Sequence, residues 1–209
     1  MYVPTSFAVT DPGKLAAVMR DHGFGTVVTT DADGVPFASH VPILFFPERG
    51  PRGTLAGHFA RANPQWQHFR AGKTVLVIFQ GPHAYVSPSW YQTTLAVPTW
   101  NYVAVHAYGA ARIIDDEQEL NALVQATVGK YESPRPDPWM ADALPVEFKS
   151  KMMKGIVGFE IAVSHLEGKF KLSQNRQPED IAGVIAFLSR SSDQTEREVA
   201  ALMAERIES

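Results

Sequence analysis

Gly57-His58-Phe59-Ala60-Arg61-Ala62-Asn63-Pro64-Gln65-Trp66 reads as a strand running into a helix. Thr54-Leu55-Ala56 before it is β-rich, and Asn63-Pro64 is a helix start, a capping side chain followed by a residue that has no amide to satisfy. His58, Arg61 and Asn63 crowd the connection. Free backbone N–H groups, the helix dipole and the two-pronged Arg61 guanidinium favour negative charge there, so an anion site is expected. A second polar cluster, Lys171-Leu172-Ser173-Gln174-Asn175-Arg176, offers donors for the same ligand.

Upstream, Thr10-Asp11-Pro12 starts a helix carrying Leu15, Val18 and Met19, and Gly23 ends it. Val27–Thr30 and Val35–Phe46 flank Asp31-Ala32-Asp33-Gly34, which is a hairpin. Downstream, Thr74–Phe79 is an unbroken apolar run of strand length. Gly81-Pro82 is expected to break it before a short strand at Ala84-Tyr85-Val86. Ser87 to Thr99 reads as an ordered loop, and Trp100 to Ile114 as a long strand with a bend at Gly109. Acids at 115–119 open a helix buried through Leu120, Leu123 and Val124, and a further helix carries Phe148, Met152 and Met153. Ile156–Val163 and Leu166–Leu172 read as two strands with a turn at Ser164-His165. Two amphipathic helices, Asp180–Leu188 and Thr195–Ile207, close the chain. Ile181, Val184, Ile185 and Leu188 form one apolar stripe and Val199, Leu202, Met203 and Ile207 the other, while Glu196, Glu198, Glu205 and Glu208 face away and disfavour a phosphate backbone. Six or seven strands without strict strand–helix alternation imply an α+β fold, a mostly antiparallel barrel with peripheral helices.

The 209 residues, 45% hydrophobic and 20% charged, suffice for one sizeable core, read as a single domain with residues 178–209 as a helical extension. A net charge of −3 speaks against a strongly basic nucleic-acid surface. Absence of cysteine removes disulfides and thiolate metal sites. No apolar run reaches membrane-spanning length and the N-terminus lacks a signal-peptide layout, so a cytoplasmic protein without membrane partners is expected. His58 and His68 do not share a helical face and have no carboxylate at ligand spacing, so no metal site is expected. Nucleophile-elbow, phosphate-loop and dinucleotide motifs are missing, and no catalytic residue is assigned. Trp66, Trp90, Tyr91, Trp100 and Tyr102 fall in loops or at strand ends. With Arg and Asn donors, and Ser39-His40 at a strand edge, they suit a flat ring carrying a phosphate, as in flavin mononucleotide (FMN).

The chain resembles the PaiB family of FMN-binding negative transcriptional regulators, grouped with the split β-barrel flavin-binding proteins. The likeness is carried by Met1-Tyr2-Val3-Pro4, Ser39-His40-Val41-Pro42, the 57–66 stretch, the block from Phe79 to Tyr91, and Val97-Pro98-Thr99-Trp100-Asn101-Tyr102. It continues through Gly155–Ile161 and Leu166–Arg176. The resemblance implies an FMN-binding split barrel that forms a homodimer with the flavin at the interface, and a repressor role that brings DNA in as a partner. Flavin-dependent oxidoreductase and haem-binding relatives are the alternatives. The implied cofactor residues are Ser39, His40, His58, Arg61, Ala62, Asn63, Trp100, Asn101, Lys171, Gln174, Asn175 and Arg176.

Overall fold

The strands of the computed structural model, which describes residues 1–141 and 144–208, form one seven-stranded sheet. They are β1 (Ala8–Val9), β2 (Phe24–Thr30), β3 (Pro36–Phe46), β4 (Thr54–Ala60), β5 (Thr74–Val86), β6 (Thr99–Ile114) and β7 (Ile156–Lys171). Their order is β1-β7-β4-β3-β2-β5-β6, and β7 also pairs with β6. The pairings β1–β7, β2–β3, β2–β5, β3–β4 and β4–β7 are antiparallel. The helices are α1 (Pro12–Asp21), α2 (Glu117–Glu132), α3 (Val146–Lys154), α4 (Pro178–Leu188) and α5 (Gln194–Glu208). No described helix is long and apolar enough to cross a membrane. The chain divides into two compact units, one of residues 19–79 and 107–166, the other of 1–18, 80–106 and 167–209.

In the first unit the β2–β3 turn forms because the Asp31 carboxylate accepts from the amides of Asp33 and Val35, at 2.9 and 2.8 Å, while Gly34 takes φ +86°. Alternating burial along β2 sends Val27 inward to join Ile43, Leu55 and Ile161. Phe59, Phe69 and Phe159 meet with ring centroids 4.7–5.9 Å apart, contacts worth about 0.5–1.5 kcal/mol each beyond area burial. Asp116 caps α2 by accepting from Gln118 N and Glu119 N, which lays Leu120 and Leu123 on Leu44, Ala56 and Ile114.

In the second unit Asp180, at the start of α4, accepts from the amides of Gln92 and Thr93 at 2.8 and 3.0 Å and from Thr93 Oγ1 at 2.7 Å. Trp90 stacks on Phe187 of α4 with centroids 4.1 Å apart. Val184, Leu188, Val199 and Met203 are buried as the apolar stripes require, but Ile207 is exposed. Glu198 accepts from Gln194 at 2.8 Å, and the fourth acid, Glu208, lies outside the described side chains.

Four expectations are corrected. Gly81-Pro82 does not end a strand: β5 is continuous, because both residues are buried and Gly81 packs where a Cβ would sit 3.0 Å from Val103 Cβ. Ser164-His165 is not a turn: Ser164 Oγ donates to the Tyr108 carbonyl at 3.1 Å, Arg52 donates to the Ser164 carbonyl at 2.8 Å, and β7 runs through. The helix after Asn63 is a 3-10 helix, Pro64–Ala71. Of the aromatics expected beside a flat ring, Tyr91 is buried and Trp100 is exposed.

Candidate functional site

Asn63 keeps its capping role, its Oδ1 accepting from Gln65 N at 3.0 Å, and its Nδ2 donates to Ser39 Oγ at 2.8 Å. The cap therefore brings Ser39 of β3 to the 61–63 connection. His40, next along β3, shares a 2.8 Å hydrogen bond between its Nδ1 and Thr26 Oγ1. Arg61 points to the start of β7: its amide donates to Gly155 O at 2.8 Å, Nε to Lys154 O at 2.7 Å and Nη2 to Ile156 O at 2.8 Å. Trp66 Nε1 donates to the Arg61 carbonyl at 3.1 Å. Ala62 is exposed, and burial lowers the pKa of His58.

The second cluster belongs to the other unit. Asn101 is fully buried, and its Nδ2 donates to Ser173 Oγ at 2.9 Å and to Met203 Sδ at 3.3 Å. Ser173 answers by donating to Asn101 Oδ1 at 3.2 Å. Gln174 folds back on its own turn, accepting from Leu172 N at 2.6 Å and donating to Phe170 O at 2.5 Å. Asn101 and Gln174 thus shape the turn, while Asn175 is exposed and the Arg176 guanidinium lies 4.8 Å from the Tyr91 ring centroid. Lys171 Nζ donates to Thr99 Oγ1 at 2.5 Å and to Trp100 O at 2.6 Å. Trp100 itself stands beside His83 and Tyr85 on the surface.

Burial, then the like charges of Lys169 and Arg176, hold the Lys171 ammonium below its ordinary pKa. Lys169 is itself buried, donating to the Tyr2 carbonyl at 3.0 Å between the Tyr2 and Tyr102 rings. Crowded cations of this kind are relieved by an anion. A phosphate therefore fits the donor set.

Three functional-looking residues escaped sequence reasoning. Gln65 is fully buried, its Nε2 bonded to Val27 O, Thr29 Oγ1 and Phe37 O, and its Oε1 is buried without a partner. Nothing in the wording of the 57–66 stretch separates it from a surface glutamine. Ser173 has φ +62°, a conformation for which a serine gives no warning. The Asp180 anchor joins residues 87–88 positions apart, beyond any local pattern.

The family model described as "Putative FMN-binding domain" matches residues 1–165. The chain belongs to this family. Protease synthase and sporulation protein PAI 2 of Bacillus subtilis (strain 168) is 42% identical over 207 residues, covering 99% of this chain and 98% of that protein, so the match is to PaiB along essentially its whole length. Among solved structures, the flavocytochrome Anf3 from Azotobacter vinelandii superposes with a TM-score of 0.58 at 17% identity, over 84% of this chain and 75% of that one. The FAD and haem binding protein from Mycobacterium smegmatis gives 0.57 at 15%, over 84% and 78%. These likenesses fix the fold as the flavin-binding split β-barrel, with helices at its periphery and a C-terminal helical pair. FMN is the family's cofactor.

Proposed function

We propose that this protein is a PaiB-like negative transcriptional regulator that carries FMN as a bound or sensed ligand at a homodimer interface in the cytoplasm. Family membership and the relative whose name refers to protease synthesis and sporulation support the regulatory reading. The observation that carries the flavin part is the gathering of cations at the end of β7, with Lys169 buried, Lys171 bonded to Thr99 and Trp100, and Arg176 against Tyr91, which a phosphate would neutralise. Bound FMN supplies a two-electron redox centre.

The residues proposed to hold it form two sets. Arg61 and Asn63 offer donors to the phosphate beside Ser39, His40, His58 and Ala62. Lys171, Asn175 and Arg176 supply the second set of polar groups from the partner subunit, with Trp100 toward the ring, while Asn101 and Gln174 keep the turn that carries them in shape. Exposed Trp100, Tyr85, Leu95 and Val97 support dimerisation, because such surface is ordinarily covered. We read the chain as one flavin-binding domain with residues 178–209 as an extension. Its α4 and α5 pack against each other and do not read DNA, so operator contact falls to the rest of the dimer.

The visible absorption spectrum of the purified protein tests the cofactor. A flavin spectrum is expected. A haem spectrum from the protein reconstituted with both groups would overturn the reading.

A further inference from the structure

Two cavities open in the unit of residues 19–79 and 107–166, and their charges are arranged differently. The first, about 460 Å³, is rimmed by Arg49 and Arg112, and both arginines are neutralised: Arg49 Nη1 donates to Glu160 at 3.0 Å, Arg112 Nη2 to Glu160 at 2.7 Å and Arg112 Nη1 to Glu119 at 3.0 Å. The second, about 480 Å³, lies among the 3-10 helix, the start of α2 and α3, and is rimmed by Arg61, Arg70, Lys149 and Lys154. Its volume is in the range of small-molecule pockets, roughly 300–1,000 Å³. Among the described residues neither Arg61 nor Arg70 has a carboxylate within ion-pair distance.

The floor of this second cavity is apolar, made by Ile114, Leu120, Met153 and Val157, and Trp66 supplies a flat wall with the Arg70 guanidinium 5.2 Å from its ring centroid. Asp115 and Glu117 also line the cavity. The lining is net positive, which attracts an anion, and the two carboxylates penalise a polyanion. Of the residues assigned to the flavin, the cavity contains Arg61 alone.

We propose that this cavity is a second ligand site, for a small organic monoanion with a flat apolar body, such as an aromatic carboxylate or sulfonate. The body lies on the apolar floor against Trp66, and the acid group meets Arg70, Lys149 and Lys154. In a flavin-binding regulator such a site would hold an effector beside the phosphate loop, sharing Arg61 with it.

Anilinonaphthalenesulfonate, a fluorescent aromatic monoanion, is the probe. Titrated against the full chain, it is expected to saturate at one site per chain and to weaken as salt is raised. Lys149→Glu with Lys154→Glu is expected to weaken it by about tenfold or more, the effect of losing charge-assisted contacts. Ser150→Trp, which fills the cavity from an exposed helix position, provides a variant whose fold is not at risk from charge reversal. FMN affinity, measured in parallel, is expected to stay unchanged in Ser150→Trp, which leaves the charges around Arg61 in place and on which the FMN comparison is read. Lack of saturable probe binding by the wild type, unchanged probe affinity in a folded variant, or a parallel loss of FMN each overturns the proposal, the last by making the cavity part of the flavin site.

Discussion

Arg61 Nε donates to the carbonyl of Lys154 at 2.7 Å, so a side chain suited to an anion also fastens the end of α3. With Nη2 on Ile156 O, the guanidinium holds both sides of Gly155, where α3 gives way to β7. Nη1 and the positive charge remain available, and the two carbonyl bonds pre-orient the fork, lowering the entropy lost on gripping a ligand.

Arg61→Ala is therefore expected to lower unfolding free energy by roughly 1–3 kcal/mol, since a charged donor bond is worth about 1.5–3 and this residue is exposed. Arg61→Lys keeps the charge and loses the fork. It should retain more FMN affinity than Arg61→Ala while losing comparable stability in urea denaturation.

Ser173 is held at φ +62° by its reciprocal bonds with Asn101. Ser173→Gly removes a conformational cost of about 1–2 kcal/mol and a hydrogen bond of similar size, so stability should change little. Ser173→Val, β-branched and without a donor, should cost roughly 2–4 kcal/mol. Equal effects of the two substitutions in denaturant titrations would count against backbone strain at this turn.

The Thr93 amide, then the Thr93 hydroxyl, hold Asp180 below the ordinary carboxylate pKa, with the Gln92 amide and Arg176 adding to the effect against an opposing cost of burial. A depressed folded-state pKa means the anchor contributes fully above the unfolded value of about 3.9 and is lost as pH falls below it. Hydrogen exchange should show the amides of Gln92 and Thr93 protected at pH 6 in the wild type and unprotected in Asp180→Ala, with protection falling only in acid for the wild type. Protection at pH 6 that survives in Asp180→Ala would refute the anchor.

Gly109 sits where a Cβ would lie 2.1 Å from the Ala162 carbonyl oxygen, so β6 and β7 approach closely at this point. Gly109→Ala should force the strands apart and cost roughly 1–3 kcal/mol, the scale of overpacking, read as a lowered melting temperature.

The hairpin at Asp31–Gly34, the cap at Asn63 and the acid-rich start of α2 were legible because each depends on residues within a few positions of one another. Gly81-Pro82 and Ser164-His165 misled for the same reason: they carry local turn chemistry that a neighbouring strand overrides, through Val103 in one case and Tyr108 with Arg52 in the other. In the candidate site, residue types pointed to Asn63 as a cap and Lys171 as a donor, but not to which polar side chains hold the frame. Asn101 looks like a ligand donor in sequence but is bonded across to Ser173 and Met203, and Gln174 is bonded within its own turn.

The flavin phosphate is tested most directly by titrating flavin-free protein with FMN and with riboflavin, following flavin fluorescence. FMN is expected to saturate at one per chain and riboflavin to bind about ten- to a hundredfold more weakly, the difference made by one or more charge-assisted contacts. In Arg61→Ala the FMN affinity should fall toward that of riboflavin while riboflavin stays nearly unchanged. Equal affinities in the wild type, or equal losses for both ligands in Arg61→Ala, would contradict a phosphate held by Arg61.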